Sequence, residues 1–213
     1  MILEAEGPPI LGADDRFTVV CLGSPFKIRS HPTTREFAML KTRGLNHIDL
    51  GTKDMEATRA FYEDVLGFPV VRADLVEIGD EGRLKHFFFD IGGGQLLGFM
   101  SGEDVRGYPK DFDAGINRGL GLAPGVYHFA FDADTEQALL RIRNHLQSHG
   151  VKVRGPVDHE GWAKSIYFLD PNGLQLEVCH ILRPFVAEDA TPTVRFRLDG
   201  RVKTQVPKSV ASA

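Results

Sequence analysis

Apolar and polar positions in the middle of the chain follow two periods, which together predict one unit of secondary structure. The stretch Gly44–Leu50 (GLNHIDL) reads as a strand, with His47 on one face and Ile48 on the other. A helix is expected next, with acidic residues in its first turn and Gly67 as a candidate C-terminal cap. Its apolar stripe is Ala57, Ala60, Phe61, Val65 and Leu66. Three strands are predicted to follow, over Pro69–Ile78, Arg83–Asp90 and Gln95–Met100.

The same unit recurs in the second half of the chain. Gly125–Phe131 (GVYHFAF) repeats the G-x-x-H form of the first strand, and a helix is predicted over residues 134–149. His47 and His128 hold the same place in the two units, which gives a period of about eighty residues, longer than that of solenoid repeats. We therefore expect two domain-sized halves whose sheets pair and bury a shared concave face.

These patterns divide the chain into five segments. Residues 1–43 form an N-terminal extension that contains a possible strand, Arg16–Leu22, and residues 44–100 form the first module. A linker rich in Gly, Asp and Arg spans 101–124, and the second module spans 125–180. The C-terminal extension, 181–213, alternates around Asp199-Gly200 over Thr193–Val206, which predicts a β-hairpin.

Composition excludes several classes of function. The 213 residues carry a net charge of −4 with a pI near 6.1, so the chain has no basic surface for nucleic acid. Two cysteines, Cys21 and Cys179, do not make a disulfide framework. No apolar run is long enough to span a membrane, and the N-terminus is acidic and proline-containing, unlike a signal peptide. We expect a soluble, cytoplasmic protein.

A glutamate in an apolar strand is the first candidate for chemistry. Alternation over Leu174–Cys179 puts Leu176 and Val178 on one face and Glu177 on the other. A carboxylate at such a position either lies on a solvated outer face or binds a cation, because buried carboxylates without partners are rare.

The two repeat-equivalent histidines favour the second interpretation. Pseudo-twofold pairing of the units would bring His47 and His128 to one place, together with Glu177. Two imidazoles and one carboxylate suit Fe(II), Mn(II) or Zn(II) and leave positions open for a substrate and O₂. The alternative for either histidine is a hydrogen-bonded core residue. We expect the three side chains to converge on one metal.

Three motifs resemble the vicinal oxygen chelate superfamily, which includes glyoxalases, bleomycin-resistance proteins and extradiol dioxygenases. They are FYEDVLGF (61–68), the paired G-x-x-H strands and DPNGLQLE (170–177), and the resemblance covers Gly44–His180. It implies an α+β fold in which two paired βαβββ modules form an open, cupped sheet with a metal in the cup.

Within that superfamily the second module is most similar to the extradiol dioxygenase signature. His159, Tyr167, the turn Asp170–Gly173 and Glu177 stand in the order and spacing of that signature. The resemblance implies that His159 and Tyr167 are catalytic groups that hydrogen-bond a catecholate bound to Fe(II). Donors beside the substrate oxygens and a group that manages protons are what this chemistry needs. The alternatives are a loop histidine and a core tyrosine.

Two departures from the family pattern affect the reaction. Gly98 falls near the place where glyoxalase-type members carry a fourth ligand, and Gln95 is the only side chain on that strand able to coordinate. Three ligands favour oxygen-activating or hydrolytic chemistry over glyoxalase isomerisation.

The second departure is a missing acid–base histidine, since none occurs between Phe87 and Tyr127. Tyr108, Asp111 or Asp113 could replace it, whereas alignment of His86 with Ile166 would turn His86 away from the cup.

Three functions remain open at this stage. The first is an enzyme, a ring-cleaving extradiol-type dioxygenase that uses Fe(II) and O₂ on a small catechol-like aromatic. The second is a glyoxalase-like metal-dependent lyase, isomerase or hydrolase. The third is a non-catalytic protein that binds a small molecule or confers resistance. A homo-oligomer is possible in each case, and neither nucleic acid nor a membrane is an expected partner.

Overall fold

The structure, a computed structural model, describes residues 44–191 and the backbone of two further strands, 194–198 and 201–205. It is an α+β fold in which the strand, helix, three-strand unit occurs twice, as the sequence predicts. The elements of the first unit are β1 (His47–Gly51), α1 (Met55–Arg59, continued as a π-helix over Ala60–Val65), β2 (Val70–Glu77), β3 (Arg83–Asp90) and β4 (Leu96–Ser101). A short helix, α2 (Ile116–Gly119), precedes the second unit, which comprises β5 (Phe129–Asp132), α3 (Glu136–Ser148), β6 (Arg154–Asp158), β7 (Ala163–Leu169) and β8 (Gln175–Ile181).

Each unit builds its own four-stranded sheet with the same topology. The strand orders are β1-β4-β3-β2 and β5-β8-β7-β6. In each sheet the first strand pairs in parallel with the last, and the other neighbours are antiparallel. The parallel pair places the start of one unit beside its end, so residues distant in sequence meet there.

Side-chain caps fix where the two main helices begin. Asp54 accepts a hydrogen bond from the Ala57 amide at α1, and Thr135 accepts one from the Ala138 amide at α3. The π-helical turn that continues α1 turns both Phe61 and Tyr62 into the core.

The two units share one hydrophobic core, which lies on the helix-bearing faces of their sheets. Phe89 and Phe99 from the first sheet and Ile166 and Leu176 from the second belong to the same buried cluster. Phe68 of the first unit packs on Phe131 of the second, with ring centroids 5.2 Å apart. The sequence led us to expect a shared concave face instead. Within the chain the shared surface is the opposite one, because that is where both apolar helix stripes lie.

The predicted turn Asp170–Gly173 connects the units through buried polar groups. Tyr62 donates a hydrogen bond to Asp170 Oδ2 at 3.1 Å, and Asn172 Nδ2 donates to the same oxygen at 3.0 Å. Thr52 Oγ1 lies 2.7 Å from Asn172 Oδ1. Burial raises the pKa of Asp170 and, more strongly, that of Tyr62. The turn therefore has a structural role, which is to link strand β7 to the first helix.

The remaining predictions concern the ends of the chain. Strands β9 (Val194–Leu198) and β10 (Arg201–Gln205) pair antiparallel, as the alternating pattern predicts. The possible strand Arg16–Leu22 lies outside the described residues. Among the residues that the structure describes, no helix has the length and apolar character needed to cross a membrane.

Candidate functional site

Strand register confirms that His47 and His128 are equivalent in the two repeats. Asp49 pairs with Gly98 across β1 and β4, and Ala130 pairs with Glu177 across β5 and β8. Each histidine stands two residues before the first member of its pair. Both side chains lie on the face of their sheet that is turned away from the shared core.

In the second sheet His128 and Glu177 face each other. His128 Nε2 lies 3.0 Å from Glu177 Oε2, and the glutamate side chain is only 8% exposed. His128 Nδ1 lies 2.9 Å from the Gly125 carbonyl oxygen, which can only accept, so Nδ1 carries the proton. If the imidazole is neutral, its Nε2 then carries a lone pair that faces the carboxylate oxygen, so two hydrogen-bond acceptors are in contact. A proton or a cation between them resolves this conflict.

The separation of these two atoms fits a shared metal ion. Two donor atoms about 2.1 Å from one cation lie about 3.0 Å apart at a right angle and about 3.4 Å apart at the tetrahedral angle. The buried Glu177 carboxylate and the Nδ1-bonded imidazole therefore fit one half of a metal site by both charge and distance.

The predicted catalytic pair lies beside Glu177. Tyr167 is directly opposite Glu177 in the ladder between β7 and β8, and its hydroxyl lies 2.9 Å from His159 Nε2. Burial, with the Glu177 charge as a second cause, raises the pKa of Tyr167, so its phenol stays protonated. The Arg154 guanidinium lies 4.7 Å from the centre of the Tyr167 ring. The structure thus brings Tyr167, His159 and Glu177 together.

A cavity and an unpartnered hydroxyl accompany these residues. Tyr167, Arg154 and Leu169 line a mostly apolar cavity of about 920 Å³, which is in the range of small-molecule sites. Ser165 Oγ, on the strand face of Tyr167, is buried and has no hydrogen-bond partner in the described part of the chain. Burial also raises the pKa of Cys179, which pairs with Ser165 across the ladder.

The first sheet carries a second cluster around His47. Asp49 Oδ2 lies 3.3 Å from His47 Nε2, and Asp49 Oδ1 lies 2.8 Å from His86 Nε2. His47 Nδ1 lies 2.8 Å from Asn46 Oδ1, so this imidazole also has Nδ1 bonded to an oxygen and Nε2 directed at a carboxylate. Phe88 packs against both imidazole rings.

The three predicted ligands do not converge within one chain. His128 and Glu177 are in contact, but the contacts of His47 are with residues of its own sheet. Across the described ranges, no three His, Cys, Asp or Glu side chains are gathered closely enough to hold a metal ion. The pseudo-twofold argument placed both histidines on equivalent strands but did not account for two sheets that pack through their opposite faces.

The expectation that His86 points away from the cup is wrong. Phe88 pairs with Gly98 as Tyr167 pairs with Glu177, so Phe88 is the equivalent of Tyr167 and His86 that of Ser165. The sequence alignment matched His86 with Ile166, one residue beyond its structural equivalent Ser165, because it aligned the strand-terminal residues Asp90 and Asp170. A slip of one residue reverses every side chain on a strand.

The linker residues considered as proton donors lie elsewhere. Asp111 and Asp113 line a separate cavity of about 420 Å³, with Lys53 and Arg118. The Arg118 guanidinium lowers the pKa of Asp113, which makes this carboxyl a poorer acid. Tyr108 packs edge-on against Phe112.

Sequence reasoning also missed Asp49. Asp49 lies two residues after His47, and this spacing places two side chains on one face of a strand. The spacing is the sequence signal that could have identified Asp49. Two other aromatic residues differ in their surroundings: Phe99 is fully buried in the core, and Trp162 contacts both His159 and Phe185.

Comparison with known proteins identifies the family. A family model described as Glyoxalase/Bleomycin resistance protein/Dioxygenase superfamily matches residues 44–178. A glyoxylase/bleomycin resistance protein/dioxygenase domain from Frankia sp. EAN1pec is 17% identical with a TM-score of 0.49, over 66% of this chain and 99% of that one. A glyoxalase family protein from Enterococcus faecalis is 22% identical with a TM-score of 0.47, over 64% and 97%. The fosfomycin resistance protein FosX from Listeria monocytogenes is 20% identical with a TM-score of 0.46, over 66% and 94%. Because the family model covers more than half of the chain, the chain belongs to the Glyoxalase/Bleomycin resistance protein/Dioxygenase superfamily.

Proposed function

We propose that this chain is a metal-dependent enzyme that acts on a small molecule presenting two neighbouring oxygens to a divalent cation. The observation that carries the proposal is the buried Glu177 carboxylate in contact with Nε2 of His128, whose Nδ1 is bonded to the Gly125 carbonyl oxygen. A carboxylate that is 8% exposed and lies against an imidazole nitrogen needs a compensating positive charge. A divalent cation supplies that charge, and once bound it acts as a Lewis acid on the substrate oxygens.

The third ligand in this proposal is His47 of a second copy of the chain. Both histidine-bearing faces are turned away from the core, so each is available to another molecule. A twofold dimer that pairs the first sheet of one copy with the second sheet of the other would bring His47 to His128 and Glu177 twice, once at each end.

The chain's own residues would then bind the substrate and move protons. The Tyr167 hydroxyl is a protonated donor held by His159, and it lies on the same sheet face as Glu177. His159 Nε2 lies within hydrogen-bond distance of that hydroxyl, so the pair offers a path for a proton between substrate and solvent. The apolar wall of the adjoining cavity excludes water from a bound ring.

Two reactions suit this arrangement, and they differ in how many protein donors the cation has. With His47, His128 and Glu177 alone, Fe(II) would keep positions for both oxygens of a catechol and for O₂, which is the extradiol ring cleavage that the sequence favours. The His159–Tyr167 contact supports this candidate. Mn(II) and Zn(II) suit the same donors.

The second candidate is a lyase, isomerase or hydrolase. It is favoured by Asp49, whose carboxylate lies 3.3 Å from His47 Nε2 and could enter the same coordination sphere. A fourth protein donor leaves two positions on an octahedral cation, enough for a chelating substrate but not for O₂ as well.

A mixing experiment tests the proposed site. His47→Ala and His128→Ala each remove one ligand, so neither variant alone should bind Mn(II) or Zn(II) tightly. When the two are unfolded and refolded together, half of the dimers are mixed and each has one intact site, so about a quarter of the sites should bind again.

Recovery of binding supports a site formed between copies. If the mixture binds no more than the separate variants while the unmutated chain binds one ion per chain, the ligands come from a single copy. If the unmutated chain binds neither ion nor anaerobic Fe(II), the proposed function is wrong. With bound Fe(II), oxygen uptake on a panel of catechols distinguishes ring cleavage from the second candidate.

A further inference from the structure

We propose that Asp49 is a metal ligand that takes the place of a carboxylate absent from strand β4. The inference rests on the proposed metal site and adds to it a residue that the family pattern does not predict at this position. It begins from the equivalence of the two repeats. In the second unit the pair across the parallel strands is Ala130 and Glu177, and in the first unit it is Asp49 and Gly98.

Each pair has one carboxylate, but it lies on a different strand in the two units. The second unit has a small residue on its first strand and an acid on its last, whereas the first unit has the acid on its first strand and no side chain on its last. In both units the carboxylate faces Nε2 of the equivalent histidine, at 3.0 Å for Glu177 and 3.3 Å for Asp49. Both distances match two donors on one cation, which lie about 3.0–3.4 Å apart.

The absence of a side chain at position 98 makes room for the aspartate. A Cβ atom built on Gly98 would lie 1.9 Å from Asp49 Oδ1, which no pair of atoms tolerates. Asp49 therefore occupies the space that a longer acid on β4 would need. Its other contact, from Oδ1 to His86 Nε2 at 2.8 Å, orients the carboxylate and leaves Oδ2 directed at His47.

The hydrogen bonding of the His47 ring matches that of His128. Its Nδ1 is bonded to Asn46 Oδ1 and its Nε2 is directed at the Asp49 carboxylate, just as Nδ1 of His128 is bonded to the Gly125 carbonyl and its Nε2 is directed at Glu177. With Asp49 the proposed site has two imidazoles and two carboxylates, one of each from each half. This donor set favours the lyase, isomerase or hydrolase candidate over ring cleavage.

A reciprocal exchange tests the assignment. Asp49→Ala removes the carboxylate, and the double variant Asp49→Ala/Gly98→Glu copies the arrangement of the second unit into the first. Titration calorimetry with Mn(II) and with Zn(II) on the metal-free, full-length chain gives affinity without any need for activity. Asp64→Asn, an exposed aspartate on the helix, is the matched control for Asp49→Asn.

We expect Asp49→Ala and Asp49→Asn to weaken binding by at least about tenfold. The control should leave affinity unchanged, and the double variant should recover most of the loss. Unchanged affinity in Asp49→Asn overturns the assignment, and so does a folded double variant that stays as weak as Asp49→Ala. If the double variant does not fold, as judged by circular dichroism, the comparison of Asp49→Asn with Asp64→Asn decides.

These outcomes are distinguishable from failure of the proposed function. If the unmutated chain binds metal and His47→Ala loses it while Asp49→Asn does not, only the role of Asp49 is wrong. If the unmutated chain binds no metal, the proposed function itself is wrong.

Discussion

Replacing Glu177 by Gln separates the metal role of this residue from its structural role. Glutamine has the same size, so the substitution leaves no cavity in the second sheet. Its amide N–H can donate to His128 Nε2, which lies 3.0 Å from the carboxylate oxygen that the amide group replaces. In the metal-free protein we therefore expect the free energy of unfolding to change by no more than about 1 kcal/mol, the net value of a typical hydrogen bond.

The effect on the metal-bound protein should be much larger. A cation at a free concentration one hundred times its dissociation constant stabilises the folded state by about 2.7 kcal/mol. For a chain of this length each 1 kcal/mol raises Tm by about 2–4 °C, so saturating metal should raise Tm by roughly 5–10 °C. This shift should vanish in Glu177→Gln.

Thermal unfolding with and without Mn(II) or Zn(II) measures both quantities on the same sample. Glu56→Gln, an exposed glutamate in the first turn of α1, controls for the loss of one negative charge. A Glu177→Gln variant that keeps the full metal-dependent rise in Tm would falsify the assignment of Glu177 as a ligand. A variant that unfolds in the absence of metal would show that the carboxylate is required for folding.

Three further predictions follow from the contacts described above. His159→Ala should slow turnover of an identified substrate by roughly 10²–10⁴-fold while the metal content stays unchanged, and Tyr167→Phe should slow it less. If both variants instead lose metal to the same extent, the proton-transfer role is contradicted. Tyr62→Phe should lower the free energy of unfolding by about 1 kcal/mol, because it removes the hydroxyl bonded to Asp170. A denaturant titration measures this value, and no change would mean that the buried network contributes little to stability. Because burial raises the pKa of Asp170, its contribution to stability is full below the ordinary carboxyl pKa of 3.8 and is lost as pH rises through the raised value; Asp170→Asn should flatten the decline of stability with pH in that range.

The repeated unit could be predicted from the sequence because its signals are local. The strand predicted over Arg83–Asp90 has the same bounds as β3, and the helix predicted over residues 134–149 contains α3, Glu136–Ser148. Alternation over Leu174–Cys179 correctly separates Glu177 from Leu176 and Val178, which lie in the core.

The arrangement of the two sheets could not be predicted, because it depends on which faces bury more apolar surface. The repeat shows that His47 and His128 occupy equivalent strands, but equivalence alone does not say whether the equivalent faces meet. The helix stripes decide it, since they pair the units through the faces opposite to both histidines. Register is a second limit. Aligning Asp90 with Asp170 reversed the orientation of His86, and only the hydrogen-bonded ladder fixes the correct match.

The differences between the two units bear on how the proposed site would work. If Asp49 and Glu177 both bind the cation, each half gives one imidazole and one carboxylate, and the halves are nearly equivalent toward the metal. They are not equivalent toward a substrate, because the position of Tyr167 in the second unit is Phe88 in the first. Only the second half then offers a hydroxyl at that position, paired with His159, whereas His86 of the first half is bonded to Asp49. A chelated substrate would therefore lie with its reacting atom toward Tyr167 and His159 and its inert side toward Phe88, so the side chain at one repeated position would set the direction of the chemistry.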